Sequence, residues 1–121
     1  MAYTTINKST DYFNTKLYTG NGGTQSITGV GFQPDWTWIK KRSGVENHFA
    51  FDSVRGATKY IFPNAANAEG TDANTLSAFG TDGFTVGSND GVNENSQTFA
   101  AWNWKAGTAV SGSTTGSGTA K

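Results

Sequence analysis

Two pairs of tryptophans, each with one residue between its members, constrain the fold of this chain more than any other feature. Segment 35–40 reads Asp-Trp-Thr-Trp-Ile-Lys, and segment 99–104 reads Phe-Ala-Ala-Trp-Asn-Trp. Residues two apart lie on one face of a β-strand, so each pair predicts a strand with two indoles on the same side. The opposite sides carry Ile39 and Phe99. Because neither strand has a fully polar face, we expect both to be central strands of a sheet.

The rest of the chain favours further strands separated by turns. The 16 aromatic residues outnumber Leu, Ile and Val together, and the helix-favouring residues Leu and Glu are scarce. Strands are predicted at residues 14–20, 24–28, 35–42, 47–54, 58–62, 75–80, 83–87 and 97–105. Short strands with turns this frequent are typical of two packed antiparallel sheets. The predicted fold class is therefore all-β, a two-sheet antiparallel β-sandwich of the jelly-roll or lectin-like kind.

Local turn chemistry adds connections to this outline. The Asn-Gly-Gly run at 21–23 predicts a hairpin between the first two strands, because these residues accept positive φ. The runs Thr-Asp-Gly at 81–83 and Asn-Asp-Gly at 89–91 predict turns of the same kind. Segment 64–69 is interpreted as a loop, with one helical turn as the alternative, because Pro63 and Gly70 bracket it.

The two ends of the chain differ in texture from the centre. Residues 1–14 are polar with spaced aromatics, and we expect an N-terminal arm that is ordered by docking on a partner. Residues 15–106 hold the predicted sandwich. Residues 107–121 are rich in Gly, Ser and Thr, which predicts a flexible C-terminal linker or tail.

Charge and composition exclude several kinds of site. Nine basic and nine acidic residues balance, which argues against a nucleic-acid-binding protein. The absence of cysteine excludes disulfides and thiolate metal sites, and a single histidine leaves little for a histidine relay. No segment is apolar over the roughly 20 residues that a membrane span needs, and the first residues do not resemble a signal peptide.

The candidate catalytic and metal-binding groups are weak. His48 and Asp52 share a face of one predicted strand, whereas Ser53 points away, and no nucleophile elbow presents the serine. Asp82 and Asp90 flank another strand, so they lie too far apart for a glycosidase pair. The oxygen-rich loop 88–95 is interpreted as a turn, with calcium binding as the alternative. We predict a protein that is not an enzyme, with no catalytic residue, cofactor or metal.

The remaining prominent side chains divide into two sets. Interface candidates are Tyr3, Ile6, Tyr12, Phe13, Lys41, Arg42 and Tyr60. Structural core candidates are Trp36, Trp38, Phe51, Arg55, Phe84, Trp102 and Trp104. Arg55 is included as a structural residue because it is expected to pair with Asp52 or to cap neighbouring carbonyls.

Several blocks of the sequence, in order and with short spacers, resemble a domain of virion and tail-fibre proteins of tailed phages, especially marine and cyanobacterial ones. The blocks are Tyr-Thr-Gly-Asn-Gly at 18–22, Thr-Gly-Val-Gly-Phe-Gln-Pro-Asp at 28–35, Trp-Ile-Lys at 38–40, Phe-Asp-Ser-Val-Arg-Gly-Ala-Thr-Lys at 51–59, Asp-Gly-Phe-Thr-Val-Gly at 82–87 and Ala-Trp-Asn-Trp-Lys-Ala at 101–106. The resemblance spans about residues 12–106. It implies a domain similar to concanavalin-like lectin sandwiches and brings no catalytic or ligand-binding residues with it.

The resemblance also implies a function. It suggests a structural component of the virion, a tail-fibre or appendage protein with an N-terminal attachment role, which assembles in the host cytoplasm and acts through protein–protein contacts. The implied partners are other virion proteins and further copies of the chain, three if it forms a fibre, without nucleic acid or membrane insertion. The alternatives are a capsid-surface decoration protein and a carbohydrate-binding module for a host surface glycan.

Overall fold

The computed structural model describes residues 8–106. Within this range the chain forms a 3₁₀ turn at Ser9–Asp11, a short helix α1 at Asp90–Asn93, and the strands β1 Phe13–Thr19, β2 Gln25–Ile27, β3 Trp36–Lys41, β4 Phe49–Asp52, β5 Lys59–Tyr60, β6 Gly70–Thr71, β7 Leu76–Gly80, β8 Gly83–Val86 and β9 Thr98–Trp104. Neither described helix is long and apolar enough to cross a membrane.

Two antiparallel sheets pack face to face. The first, here called the large sheet, has the strand order β1-β9-β3-β4, and the second, the small sheet, has the order β2-β8-β7. The two-residue strands β5 and β6 pair with each other, and a bridge between Ala50 and Ile61 attaches this region to the outer edge of β4. The predicted all-β sandwich of antiparallel sheets is therefore confirmed, and the tryptophan-bearing strands β3 and β9 are central, as their patterning indicates.

The hydrophobic core lies between the facing sides of the two sheets. Its buried members are Ile27, Ile39, Phe49, Phe51, Leu76, Phe84, Val86, Val92, Phe99 and Ala101. Half-buried aromatics at Tyr18, Tyr60, Phe62 and Phe79 complete it. Eight of these fourteen residues are aromatic, and their large side chains compensate for the small number of aliphatic residues.

Each predicted strand is present, whereas some connections differ. The hairpin at 21–23 is wrong, because β1 pairs with β9 in the large sheet and β2 pairs with β8 in the small one. The turn instead carries the chain from one sheet to the other. The hairpin through Thr81 and Asp82 is confirmed between β7 and β8, and segment 64–69 is a loop.

Segment 88–95 is not a simple turn, because it contains α1. The Asn89 side chain caps this helix by accepting the Gly91 N–H at 2.8 Å. The fully buried Asn93 donates to the Gly87 carbonyl at 2.9 Å and to Asn21 Oδ1 at 2.9 Å. The Asn21 N–H in turn donates to Asn93 Oδ1 at 3.1 Å. Asn93 thus fastens the turn between the sheets to the end of the sandwich.

The assignment of the four tryptophans to the core is wrong. Trp36, Trp38, Trp102 and Trp104 alternate with buried residues along β3 and β9, and Trp104 is 39% exposed. The inward positions are taken partly by Thr37 and Asn103, both fully buried and joined by a hydrogen bond of 2.9 Å. Asn103 Nδ2 also donates to the carbonyls of Asn14 and Ala101. Because these buried polar groups have partners, they occupy the interior at little cost, and the indoles face outward.

Three other assignments also change. Arg55 is an exposed surface residue that pairs with Asp52 at 2.7 Å, as expected, and with Glu69 at 2.7 Å. Lys41 is buried against Glu94 and is not an available interface residue. Tyr60 packs among core phenylalanines, with its ring centroid 5.0 Å from that of Phe49.

The remaining assignments need little change. The core positions of Phe51 and Phe84 are confirmed, and Arg42 and Tyr12 are exposed. Phe13 belongs to β1, so the sandwich begins two residues before the predicted boundary. Tyr3, Ile6 and residues 107–121 lie outside the described residues, so the predictions about the arm's first residues and the tail stay predictions.

Candidate functional site

The outer side of the large sheet carries a continuous apolar surface, here called the tryptophan face. It comprises Phe13, Leu17, Trp36, Trp38, Trp102 and Trp104. The strand register brings these residues into rows, because Phe13 is opposite Trp104, which is opposite Trp36. In the next row Trp102 is opposite Trp38. Cross-strand neighbours of this kind lie about 4.5–5.5 Å apart at Cβ, so the indoles support one another.

A shallow open depression of about 310 Å³ lies on this face, lined by Trp38, His48, Trp102 and Trp104. One wall is fixed by the Trp38 indole, whose Nε1–H donates to His48 Nδ1 at 3.1 Å. The Phe13 ring packs on Trp104 with centroids 5.0 Å apart. Leu17 extends the apolar surface beyond the depression and is 60% exposed.

Electrostatically, the depression is close to neutral. Partial burial lowers the pKa of His48, and the nearby Lys40 ammonium lowers it further. The imidazole is therefore neutral at pH 7, consistent with its role as acceptor for Trp38. At the border of the face, the carboxylate of Asp52 is bound by Arg55. The lining of the depression is thus aromatic and uncharged, whereas the Lys40 ammonium and the Asp52 carboxylate lie on the same side of the sheet at the border of the tryptophan face.

The structure does not bring together the candidate catalytic groups. His48 is hydrogen-bonded to an indole, Asp52 is paired with Arg55, and the Ser53 hydroxyl donates to Asp35 at 2.9 Å. Within residues 8–106 no three His, Asp or Glu side chains are grouped in a way that would hold a metal ion.

Asp82, one of the two carboxylates considered as a glycosidase pair, binds main-chain N–H groups in the structure. Its carboxylate accepts the N–H groups of Gly29 at 2.9 Å and Gly31 at 2.7 Å, and these two bonds lower its pKa. It thereby fixes the loop that leads to β3 against the β7–β8 turn. A smaller depression of about 190 Å³ between that turn and β2 is lined by residues 26–28 and 80–85.

The tryptophan face is the functional feature that sequence reasoning missed. The period of two identified which residues share a side, but not which side meets the core. One signal was available in β1, whose side with Phe13 and Leu17 is more apolar than its side with Asn14 and Lys16. The register places that apolar side on the same face of the large sheet as Trp102 and Trp104.

Comparison with known protein families gives one match. Residues 8–121 match a family described as a domain of unknown function, DUF7483. No curated protein and no solved structure matches the chain.

Proposed function

The chain belongs to the DUF7483 family, and we propose that this domain is a structural, non-enzymatic module of a tailed-phage virion that attaches to a neighbouring protein through the tryptophan face. The resemblance of the sequence blocks to virion and tail-fibre domains supports the phage assignment, with a tail fibre or appendage as the first location. The row of exposed Trp104 between half-buried Phe13 and Trp36 carries the attachment role.

The make-up of the face matches the centre of a protein–protein interface. Such centres are enriched in Trp, Tyr and Phe and depleted of charge, and a few buried aromatic anchors supply most of the binding free energy. Trp104 and Leu17 are exposed to water, and a partner that covers the face would bury their apolar surface. The depression beside Trp104 is large enough to receive one apolar side chain of the partner.

A host glycan is the competing occupant, since sugar rings also stack on indoles. A sugar site needs polar groups around the stacking surface to bind the hydroxyls. Here His48 is the polar member of the lining, and its Nδ1 already accepts from Trp38. The surface therefore favours an apolar protein partner over a glycan. A capsid-surface decoration would use the same face, and its location on the particle would distinguish it from a tail fibre.

The experiment that tests this proposal replaces an exposed anchor on the face. Particles are assembled with full-length Trp104→Ser in place of the wild-type chain, and incorporation is quantified by mass spectrometry. The matched control is Val45→Ser, because Val45 is fully exposed and lies outside the tryptophan face. We expect Trp104→Ser to be folded but depleted from particles and Val45→Ser to be incorporated normally.

Two results would overturn the proposal. One is normal incorporation of folded Trp104→Ser. The other is selective binding of the wild-type chain to one polysaccharide on a glycan panel, lost in Trp104→Ser, which would make the face a carbohydrate site.

A further inference from the structure

Among residues 8–106, which the structure describes, no strand pairs with the outer edge of β1, so the large sheet has hydrogen-bonding groups without partners in this part of the chain. Two hydrogen bonds fix the phase of the ladder between β1 and β9: Gly20 N–H donates to Gln97 at 2.8 Å, and Lys105 N–H donates to Tyr12 at 2.8 Å. In an antiparallel pair, every second residue bonds to the partner strand. The even-numbered residues of β1 therefore face β9.

The odd-numbered residues of β1 point their main-chain groups away from the sheet. They are Phe13, Thr15, Leu17 and Thr19. Within residues 8–106, no main-chain or side-chain atom forms a hydrogen bond with the N–H or C=O of these residues. The opposite edge is different, because Ala50 of β4 exchanges hydrogen bonds with Ile61 at 3.0 and 3.1 Å.

The open edge is not protected in the ways that other edges are. Proteins usually blunt an exposed edge with proline, a bulge, a very short strand or a charged side chain. In this protein β2 is three residues long, and β7 carries a register shift between Leu76 and Ala78. In contrast, β1 is seven residues long and contains neither proline nor glycine. Its protection is a single charge, Lys16, on the side that faces the core, so a second strand can pair with this edge only in a register that keeps the two Lys16 ammonium groups apart.

We propose that β1 pairs antiparallel with β1 of a second copy of this chain, with Thr15 opposite Thr15. Only a register that pairs odd-numbered residues with odd-numbered residues satisfies the open groups. The register centred on Thr15 places Phe13 of each copy opposite Leu17 of the other on the tryptophan face, and apolar cross-strand pairs of this kind are favourable.

The neighbouring registers are worse. Centring the pair on Lys16 would place two ammonium groups directly opposite each other, which is unfavourable. Centring it on Leu17 would place Phe13 opposite residue 21, which lies beyond the end of β1. Phe13 would then have no apolar partner. In the register centred on Thr15, Lys16 instead faces Asn14 of the other copy, so no like charges meet.

This pairing goes beyond the proposed attachment role, because it uses the main-chain groups at the edge of the sheet, with Phe13 and Leu17 at the margin of the tryptophan face as the flanking contacts. It joins two large sheets into one continuous sheet and places their tryptophan faces side by side. An edge-to-edge pair about a twofold axis closes with two copies, so the expected state is a dimer and not the trimer of a fibre.

Cross-linking of engineered cysteines tests the register directly, since the chain contains no cysteine. Full-length Thr15→Cys is treated with a short bis-maleimide. The matched control is Thr19→Cys, which is exposed on the same strand and face. In the proposed register the two Thr15 positions are directly opposite, whereas the two Thr19 positions are about 27 Å apart along the strand direction. We expect covalent dimers from Thr15→Cys and little product from Thr19→Cys.

A second variant separates pairing from folding. The Leu17 N–H points to the open edge and not to β9, so Leu17→Pro removes a donor that only the second copy would use. We expect the wild-type chain to have twice its 12.8 kDa mass in sedimentation, and Leu17→Pro to be a folded monomer. Leu17→Lys, at a 60% exposed position, replaces Leu17→Pro if circular dichroism shows that the proline variant is unfolded.

Three results would overturn the dimer. A wild-type chain that sediments as a monomer at all concentrations would do so, as would equal cross-linking of the two cysteine variants. A dimer that persists in folded Leu17→Pro and Leu17→Lys would place the contact elsewhere. None of these measurements involves Trp104, so failure here leaves the attachment role of the tryptophan face unaffected.

Discussion

The Trp38 indole donates its Nε1–H to His48 Nδ1 at 3.1 Å across the outer side of the large sheet. The two rings are tilted by 59°, with centroids 5.8 Å apart. A histidine that accepts through Nδ1 must be the neutral imidazole that carries its proton on Nε2. The hydrogen bond therefore stabilises the neutral imidazole. Because protonation of Nδ1 would remove this bond, the wall that Trp38 forms in the depression is coupled to the titration of His48.

Acidification should weaken the fold through His48. Burial and the Lys40 charge lower its pKa below the usual 6.5, so the unfolded chain takes up this proton at a higher pH than the folded one. The contribution of His48 is therefore present above pH 6.5 and is lost as the pH falls through the lowered, folded-state pKa. We expect the free energy of unfolding, measured by urea titration, to decrease over this window.

The matched variant for this prediction is His48→Asn, whose Oδ1 accepts from Trp38 in place of Nδ1 and does not titrate in the window. We expect a shallower pH dependence between about pH 5 and 7 for His48→Asn, because carboxylates then supply the only slope. Parallel curves for the two proteins would show that His48 does not couple pH to stability.

Asn93 should be among the polar residues on which the fold most depends. Its fully buried amide joins the Gly87 carbonyl to Asn21 at the junction of the two sheets. Asn93→Ala removes these bonds and leaves buried groups without partners, each costing about 1–3 kcal/mol. We expect a total loss of roughly 2–4 kcal/mol in chemical denaturation. Asn95→Ala, at an exposed position in the same segment, should change stability little, and equal losses would contradict the role of Asn93.

Much of the fold followed from local pattern, because strands and turns depend on neighbouring residues. The spacing of Trp36 and Trp38 was enough to predict the strand β3. The residues Thr81 and Asp82 were enough to predict the turn between β7 and β8. The destination of the chain after residues 21–23 depends instead on Asn93, seventy-two positions away from Asn21. No local pattern contains a contact of that separation.

The position of the candidate site was not predictable for a related reason. Polar residues are expected to face water. In this protein Thr37 and Asn103 are hydrogen-bonded to each other in the interior, and the buried Lys41 forms an ion pair with Glu94. Once these pairs form, burying them costs little, and the sheet is free to turn its indoles outward. Identifying the pairs requires the register of β3 and β9, which the sequence does not display.

Gly91 should respond to alanine in the opposite sense to most helical glycines. In a helix, Gly→Ala normally gains up to about 1 kcal/mol. Here an added Cβ would overlap a ring carbon of Phe49, and that ring is packed against Phe51 and cannot move away freely. We expect Gly91→Ala to lose about 1–3 kcal/mol in the free energy of unfolding.

The control for this prediction is Gly80→Ala at the end of β7, where the nearest atom to an added Cβ is 3.7 Å away. Its stability should stay close to that of the wild type. A stabilised Gly91→Ala protein would show that α1 does not press against Phe49.

The two sides of the large sheet should differ sharply in what an alanine costs. Phe51 is fully buried between the sheets, so Phe51→Ala removes core packing and should lose about 3–5 kcal/mol. Trp104 is 39% exposed on the outer side, and Trp104→Ala should lose about 1–2 kcal/mol, because much of its surface is already in water. Denaturation of both variants, with acrylamide quenching of tryptophan fluorescence in the wild type, measures the contrast. Equal losses, together with unquenched fluorescence, would place the indoles in the core and remove the tryptophan face as a docking surface.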